Sequence, residues 1–186
     1  MTEMISRMGI HFDCPVFTVA GTNGKGSTCA MLESIFRSAG LRVGMHTSPH
    51  MLRFNERAWL LGREATDEEL CRVFEEVEEK RGDLILSYFE FTALGILKLF
   101  MDAKLDAVVL EIGLGGRLDA INSIDPTVSI VTTVGIDHTA FLGPDRESIG
   151  REKSFVYRAA PCHAAVCADP EPPKSLLQHA EEIGAD

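Results

Sequence analysis

Residues 16–40 predict a β-strand, a glycine-rich turn and a helix in immediate succession. The strand is the apolar run Val16–Ala20, the turn is Gly21–Gly26, and an apolar-periodic helix opens at Ser27. Glycines let consecutive backbone N–H groups point into one concavity, and the helix start adds partial positive charge. Lys25 can reach the outer phosphates of a nucleoside triphosphate. This order of elements predicts a phosphate-binding loop at the edge of an α/β sheet.

The match to a standard Walker A loop is imperfect at two positions. Val19 stands where that pattern has its first glycine, and Gly26 stands where it has the hydroxyl that binds Mg²⁺. A magnesium ion at this loop therefore needs a hydroxyl ligand from another segment. The alternative is a glycine-rich turn that carries a surface lysine, but the order of strand, glycines, lysine and helix favours the phosphate-binding loop.

The charge balance disfavours one class of partner. A formal net charge of -10 over 186 residues argues against a nucleic-acid surface, which needs clustered Lys and Arg. No apolar stretch is long enough to cross a bilayer, and the first residues lack a basic region followed by a hydrophobic one. The sequence therefore predicts a cytoplasmic enzyme with no nucleic-acid and no membrane partner.

The cysteines are predicted to be reduced and buried, because their odd number and scattered positions do not suit a disulfide framework. They are Cys14, Cys29, Cys71, Cys162 and Cys167. For the last two cysteines the alternative is a zinc site formed by Cys162, His163 and Cys167. The apolar run 164–168 predicts a strand there instead.

Strand and helix patterns alternate along the rest of the chain. The predicted strands are 41–45, 106–112, 128–134 and 164–168, and the predicted helices open at Thr66 or span 89–103, 148–159 and 173–183. Residues 53–62 predict either a short hairpin or an ordered loop. The alternation predicts an α/β protein with a doubly wound, mostly parallel sheet and right-handed crossovers.

Polar residues directly follow four of these strands, at the edge where an open parallel sheet binds its ligands. They are the Gly21–Ser27 loop, Thr47 and Ser48, Glu111, and Asp137 with His138. A hydroxyl, a carboxylate and an imidazole beside a triphosphate can form a Mg²⁺ site, although imidazole is an unusual Mg²⁺ ligand. Glu111 is hard to explain structurally within an apolar run. Ser48 has an alternative role as a turn residue, and His138 as a core or capping histidine.

Longer motifs carry a family resemblance. They are Val-Ala-Gly-Thr-Asn-Gly-Lys-Gly-Ser-Thr at 19–28, Thr-Ser-Pro-His at 47–50 with Arg-Phe-Asn-Glu-Arg at 53–57, Leu-Glu-Ile-Gly-Leu-Gly-Gly-Arg-Leu-Asp-Ala at 110–120, and Gly-Ile-Asp-His at 135–138. The sequence resembles the folylpolyglutamate synthase/dihydrofolate synthase family of Mur-type ligases over nearly its whole length. The resemblance implies a truncated Mur-ligase-type ATP-binding domain over 1–186, ending where the pattern requires another strand, with the C-terminal ligase domain absent.

The resemblance also implies roles for individual residues. The ATP phosphates would be held by Thr22, Asn23, Gly24, Lys25, Gly26 and Ser27, and Mg²⁺ by Ser48, Glu111 and His138. Dihydropteroate would be bound by Ser87, Tyr88, Phe89 and Glu90 together with Leu118, Asp119 and Ala120. The implied catalytic residues are Lys25, His138 and Lys153, the last matching a lysine that is carbamylated in the family. Members of the family usually follow that lysine with Ala-Gly-Ile, whereas this chain has Ser154, Phe155 and Val156.

Some of these positions have simpler interpretations when taken alone. Tyr88 and Phe89 fit ordinary aromatic packing at the start of a helix. Lys153 fits an exposed lysine on a helix surface. Only the resemblance gives these three residues a part in chemistry.

The reaction implied by the family is ATP-dependent addition of L-glutamate to dihydropteroate and to folates through an acyl phosphate. The implied cofactors are ATP and Mg²⁺, the implied partners are these small molecules, and the family favours a monomer. Two alternatives stay open. The chain is a non-catalytic nucleotide-binding fragment of such an enzyme, or it is another P-loop phosphotransferase, which has no reason to carry the motifs at 47–57 and 110–120.

Overall fold

The computed structural model describes residues 1–161 and 163–186. Its strands are β1 (Val16–Ala20), β2 (Val43–His46), β3 (Ala58–Leu60), β4 (Arg63–Glu64), β5 (Ala107–Glu111), β6 (Val128–Val131) and β7 (Ala164–Cys167). Its helices are α1 (Thr2–Met8), α2 (Lys25–Ser38), α3 (Asp67–Arg81), α4 (Tyr88–Asp102), α5 (Thr139–Leu142), α6 (Arg146–Ser154) and α7 (Lys174–Ile183). Short 3₁₀ turns lie at Phe54–Arg57 and Ile121–Ser123.

The described strands form one sheet in the order β4-β3-β2-β5-β1-β6-β7. The five strands from β2 to β7 in this order are parallel, whereas β3 and β4 are antiparallel additions at one edge. The prediction of a mostly parallel α/β sheet is therefore confirmed. The carboxyl ends of the parallel strands meet at one edge, which gathers the polar segments that the sequence places after them.

Helices cover both faces of the sheet, and this explains the unbroken apolar run of β5. Alternate residues of a strand point to opposite faces. Val109 packs with Cys29 of α2 on one face, while Val108 and Leu110 join Phe100 of α4 in the larger core on the other. Each of these five side chains is fully buried. The central strands are thereby fixed in position, and so are the loops that leave their carboxyl ends.

Several predicted boundaries were wrong for local reasons. The strand predicted to reach residue 134 ends at Val131. The N–H of Thr132 still bonds to Ala20 of β1, but the backbone of Thr133 and Val134 bonds to the phosphate loop and to the Asp169 side chain instead of a strand. Helix α6 starts earlier than predicted, at the residue after its capping Asp145, and it ends at Ser154, where the N–H of Val156 donates to the Lys153 carbonyl three residues back. Helices α1 and α5 were not predicted.

Both alternatives for residues 53–62 are realised in succession. A 3₁₀ turn at Phe54–Arg57 leads directly into β3, which pairs antiparallel with β2 and with β4. The Glu56 carboxylate organises the preceding loop by accepting the N–H groups of Met51, Leu52 and Arg53 at 2.7–2.8 Å. The hairpin therefore continues the sheet beyond its parallel part.

The cysteine prediction holds only in part. Cys29 is buried, Cys14 and Cys167 are half-buried, and Cys71 is exposed on α3, so the expectation of buried thiols is wrong for Cys71. All four are free thiols. Cys162, which belongs to the alternative zinc motif, lies outside the described residues. In the part of the chain that the structure does describe, no helix is both long and apolar enough to cross a membrane.

Replacing Thr66 tests the predicted start of α3. Its hydroxyl accepts the N–H of Glu69 at 3.2 Å, and the Glu69 carboxylate accepts the N–H of Thr66 at 2.8 Å. We expect Thr66→Ala to cost about 1 kcal/mol of unfolding free energy, because one helix N–H loses its partner. Urea unfolding followed by circular dichroism measures this loss. Thr66→Ser keeps the hydroxyl and is the control, and equal losses in both variants would contradict the capping role.

Candidate nucleotide and metal site

The phosphate-binding loop has a backbone that only glycine allows at its first position. At Gly21 φ is 148°, and a Cβ there would lie 1.8 Å from Thr132 Oγ1. Gly24 has φ 84° and caps α2, which begins at Lys25 rather than at Ser27 as predicted. The strand therefore turns sharply into the helix and leaves the helix N-terminus facing the carboxyl edge of the sheet.

Part of the loop's hydrogen-bonding capacity is used by the segment after β6. The N–H of Thr22 donates to the Thr133 carbonyl at 2.7 Å, and the N–H of Asn23 donates to Thr133 Oγ1 at 3.2 Å. The first N–H groups of α2, at Lys25, Gly26 and Ser27, have no partner within a helix by geometry. These three groups are the ones available to an anion.

Two lysine side chains converge on one backbone oxygen of this loop. Lys25 Nζ and Lys153 Nζ each lie 3.1 Å from the Gly21 carbonyl oxygen. The side chain of Lys153 is buried, and this burial, with the charge of Lys25 nearby, lowers its pKa to about 8. Within residues 1–161 and 163–186 neither ammonium forms an ion pair with a carboxylate. The loop therefore holds two cationic groups with no carboxylate in direct contact, and an anionic ligand placed between them would be attracted to both.

Glu111 ends β5 beside the loop as a buried acceptor. Its Oε2 accepts the N–H of Ser48 at 3.0 Å, its residue is 4% exposed, and burial raises the pKa of its carboxyl group. A Cβ on Gly26 would lie 3.8 Å from the same oxygen, so the loop passes directly over the carboxylate. A glycine at position 26 leaves room there for an ion or a phosphate oxygen.

His138 lies in the pocket that Lys25 and Lys153 line, together with Asp137. Its backbone is left-handed, with φ 49°, and its Nε2 lies 3.6 Å from Asp137 Oδ2. No group of three His, Cys, Asp or Glu residues among those described is arranged to bind a metal. The N–H of Ser48 bonds to the Glu111 carboxylate, whereas His138 lies in the pocket that Lys25 and Lys153 line. A hard cation that takes its remaining ligands from phosphate and water fits such a donor set.

A cavity of about 430 Å³ adjoins the phosphate pocket. Six of the seven residues that the resemblance assigns to substrate line it: Ser87, Phe89, Glu90, Leu118, Asp119 and Ala120. Tyr88 lines a neighbouring hollow with Glu78 and Phe91 instead. Sequence reasoning missed Phe141 and Glu152, which also line the cavity, because nothing in their spacing brings them to it.

Three of the cavity residues have structural partners that the sequence analysis did not assign. Ser87 Oγ and Glu90 Oε2 bond to each other at 2.8 Å and cap α4. The Asp119 carboxylate accepts the N–H groups of Leu114 and Ile121, both at 2.9 Å, and burial raises the pKa of its carboxyl group. These polar groups form part of the cavity wall, and because they already make hydrogen bonds within the protein, fewer of their donors and acceptors are left for a ligand.

The loop after β5 is fitted closely to the helix that carries Lys153. A Cβ on Gly116 would lie 2.6 Å from the Glu152 carbonyl oxygen and 3.1 Å from that of Lys153. Phe155 packs against other side chains, with its ring centroid 4.4 Å from that of His179 and 5.5 Å from the guanidinium carbon of Arg151. The large side chain at position 155 therefore leaves Lys153 directed at the phosphate loop.

Comparison with known proteins identifies the domain. Residues 19–184 match the model of the Mur ligase middle domain. The chain belongs to the Mur ligase family. The prediction from the sequence motifs is confirmed at this level, and so is the Mur-ligase type of fold.

The individual relatives of this Mur ligase domain are named as folylpolyglutamate synthases, some of them also as dihydrofolate synthases. The chain is 49% identical over 181 residues to the dihydrofolate synthase/folylpolyglutamate synthase of Escherichia coli, and the match covers 97% of the chain and 42% of that protein. It is 35% identical to the mitochondrial folylpolyglutamate synthase of Bos taurus, with 90% of the chain and 30% of that protein covered. The chain thus spans less than half the length of these relatives.

Solved structures give the same likeness. The Escherichia coli FolC in complex with DHPP and ADP has a TM-score of 0.96 and 48% identity, covering 99% of this chain and 44% of its own. The Yersinia pestis bifunctional folylpolyglutamate synthase/dihydrofolate synthase complexed with AMPPNP and Mn ion has a TM-score of 0.95 and 48% identity, covering 100% and 45%. The Mur ligase domain described above superposes on both over essentially all of its residues.

Replacing Lys153 tests its burial. Because folding lowers the lysine pKa from 10.5 to about 8, the folded state pays for a buried charge below pH 8, and this penalty fades as the pH rises towards 10.5. In buffer free of CO₂ we expect Lys153→Met to be more stable than wild type by about 2 kcal/mol at pH 7. The advantage should shrink above pH 8.

Urea unfolding at a series of pH values measures this difference. Lys80→Met, an exposed lysine on α3, is the matched control and should show no such pH dependence. A Lys153→Met protein less stable than wild type at pH 7 would contradict the buried charge.

Proposed function

We propose that this chain is the ATP-binding part of a ligase that adds L-glutamate to dihydropteroate and to folates. The observation that carries the proposal is the convergence of Lys25 and Lys153 on the Gly21 carbonyl, without a carboxylate partner among the described residues, next to a cavity of about 430 Å³. The names of the bifunctional relatives supply the substrates.

The phosphates of ATP lie, in this proposal, against the start of α2. The free N–H groups of Lys25, Gly26 and Ser27 face the γ- and β-phosphate oxygens, and the Lys25 ammonium reaches the outer phosphate. Thr22 and Asn23 hold the loop in shape through Thr133, so their contribution is to the cradle itself. Positive charge at this point lowers the cost of the charge that builds up on the transferring phosphoryl group.

The proposed metal ligands are Ser48, Glu111 and His138. These residues would hold Mg²⁺, which would supply positive charge to offset the negative charge of the phosphates. Ser48 brings the hydroxyl that the phosphate loop lacks at Gly26, and its N–H orients the Glu111 carboxylate at 3.0 Å. A Mn ion and AMPPNP in the Yersinia pestis relative support a divalent cation at a nucleotide in this fold.

The reaction proceeds in two displacements. A carboxylate of dihydropteroate or folate attacks the γ-phosphorus of ATP, the bond to the β-phosphate oxygen breaks, and ADP leaves. The amino group of glutamate then attacks the acyl carbon of the acyl phosphate, inorganic phosphate leaves, and the amine proton passes to solvent. The cavity lined by Phe89, Leu118 and Asp119 adjoins the phosphate pocket, which supports an acceptor bound beside the γ-phosphate. The chain's own residues act by position and charge, and none needs to form a covalent bond.

Carbamylation of Lys153 is part of the same proposal. Carbon dioxide adds to a neutral amine with loss of one proton, and a pKa of about 8 leaves a usable fraction of Lys153 neutral near pH 7. The product is an anion between Lys25 and Asp137, which can balance the lysine and help hold a metal ion. A carbamate resonance in ¹³C NMR after addition of ¹³C-bicarbonate, absent in Lys153→Arg, tests this modification.

Nucleotide binding is the first test of the proposal. We expect Lys25→Ala to weaken Mg-ATP binding at least about tenfold, because it removes a charge-assisted contact to phosphate worth roughly 1.5–3 kcal/mol. Isothermal titration calorimetry of the chain measures the dissociation constant. Lys80→Ala removes the same charge from the surface of α3 and should bind like wild type. No binding by wild type, or equal binding by both variants, would overturn the proposal.

Turnover separates the proposed ligase from its alternatives. ADP release that requires both dihydropteroate and L-glutamate supports the ligase, and ADP release with another phosphoryl acceptor supports a phosphotransferase. Mg-ATP binding without any turnover supports a nucleotide-binding part that depends on further sequence for catalysis, in keeping with a chain that spans 42% of its Escherichia coli relative.

A further inference from the structure

The segment between β6 and His138 is fixed from two sides. On one side Thr22 Oγ1 bonds to the N–H and the carbonyl of Gly135 at 3.0 and 3.2 Å, which ties the segment to the phosphate loop. On the other side the N–H of Val134 donates to Asp169 Oδ2 at 2.7 Å, and Arg146 Nε donates to the Val134 carbonyl at 2.7 Å. Both backbone groups of one buried residue are therefore bound by charged side chains.

Asp169 and Arg146 continue the sheet where its strand pairing ends. The last ladder bond between the neighbouring strands joins the N–H of Ala168 to the Val131 carbonyl at 2.9 Å. Just beyond it the Asp169 carboxylate takes the place of a strand carbonyl, with its other oxygen accepting the N–H of Glu171 at 2.9 Å. The Asp169 side chain is 5% exposed, and the bond from Val134 in particular lowers the pKa of its carboxyl group.

Arg146 joins this arrangement to the helix that carries Lys153. It is the first residue of α6, its Nη2 lies 3.2 Å from Asp169 Oδ2, and the same nitrogen donates to the Glu171 carbonyl at 2.9 Å. Among the residues with described structure, neither Asp169 nor Arg146 lines the phosphate pocket or the adjoining cavity. They cannot act on a ligand there directly.

We propose that Asp169 and Arg146 are positioning residues that set the metal affinity of the site by holding the Val134–His138 segment against the phosphate loop. The inference rests on the proposed function, since it takes His138 as a metal ligand. Without the two side chains, Val134 loses both partners. The segment then keeps its bonds to the phosphate loop at Thr133 and Gly135, and the His138 carbonyl keeps its bonds from α5, but nothing holds the backbone between them on the side of β7 and α6. Partners of this kind, one layer behind the ligands, tune metal affinity because they fix where the ligand stands.

The test measures metal and nucleotide binding separately in Asp169→Asn and Arg146→Met. Free Mn²⁺ is followed by electron paramagnetic resonance with saturating ADP, and ADP binding is measured by calorimetry in EDTA. We expect the Mn²⁺ dissociation constant to rise about tenfold in both variants. The metal-free ADP constant should change by less than about twofold, because Lys25 and the start of α2 are untouched. The matched control is Glu182→Gln, which breaks the exposed ion pair between Glu182 of α7 and Arg151 of α6. It should leave the dissociation constants of Mn²⁺ and ADP unchanged.

The outcomes separate this inference from the proposed function. If both folded variants bind Mn²⁺ within about twofold of wild type, the two residues are merely structural and the inference is overturned. If only one variant folds, its Mn²⁺ constant decides the matter alone. A wild-type chain that binds ADP but no Mn²⁺ overturns the metal site and this inference with it, while the nucleotide site stands. A wild-type chain that binds neither overturns the proposed function as a whole.

Discussion

The Gly21 carbonyl oxygen, with two lysine ammonium groups on it, is the interaction on which the rest of the site depends. Lys25 arrives from the start of α2 and Lys153 from the end of α6, so two helices on different parts of the sheet are joined at one atom. Two cationic groups so close together repel one another, and burial makes that repulsion stronger. The fold tolerates this because α2, α6 and the central strands are held elsewhere by packing.

The site is therefore assembled from elements that are rigid for other reasons. Val108, Val109 and Leu110 anchor β5 between two helix layers, and Glu111 is carried into place as the next residue. The same is true of Gly116, whose close approach to the backbone of α6 fixes the loop after β5 relative to Lys153. Catalytic geometry of this kind requires little movement of side chains, since the strands and helices already determine where each group stands.

Local patterns allowed the sequence to predict most of this architecture. The strand, glycine turn and helix at 16–38, the capping pair at Thr66, and the buried run of β5 each have a signal within a few residues. The parts that were missed depend on distant partners. In the sequence Asp169 is simply a polar residue after a strand, and its role becomes visible only when folding brings Val134 beside it. The one-turn helix α5 is too short to show a helical period of apolar residues. The burial of Lys153 gave no signal in the sequence either, because its hydrogen-bond partner Gly21 lies 132 positions away.

The exchange of hydrogen bonds between the Thr22–Asn23 turn and the Thr132–Gly135 segment has a consequence for transplanting this loop. If β1, the glycine loop and α2 were transferred alone, the N–H groups of Thr22 and Asn23 and the Thr22 hydroxyl would lose their partners. The transferred segment would also lack the threonine that confines Gly21. A graft into another scaffold must bring both segments as one unit, with the strand spacing between them preserved. The structural unit is thus the pair of loops that follow β1 and β6, and the contiguous glycine motif supplies only the first of them.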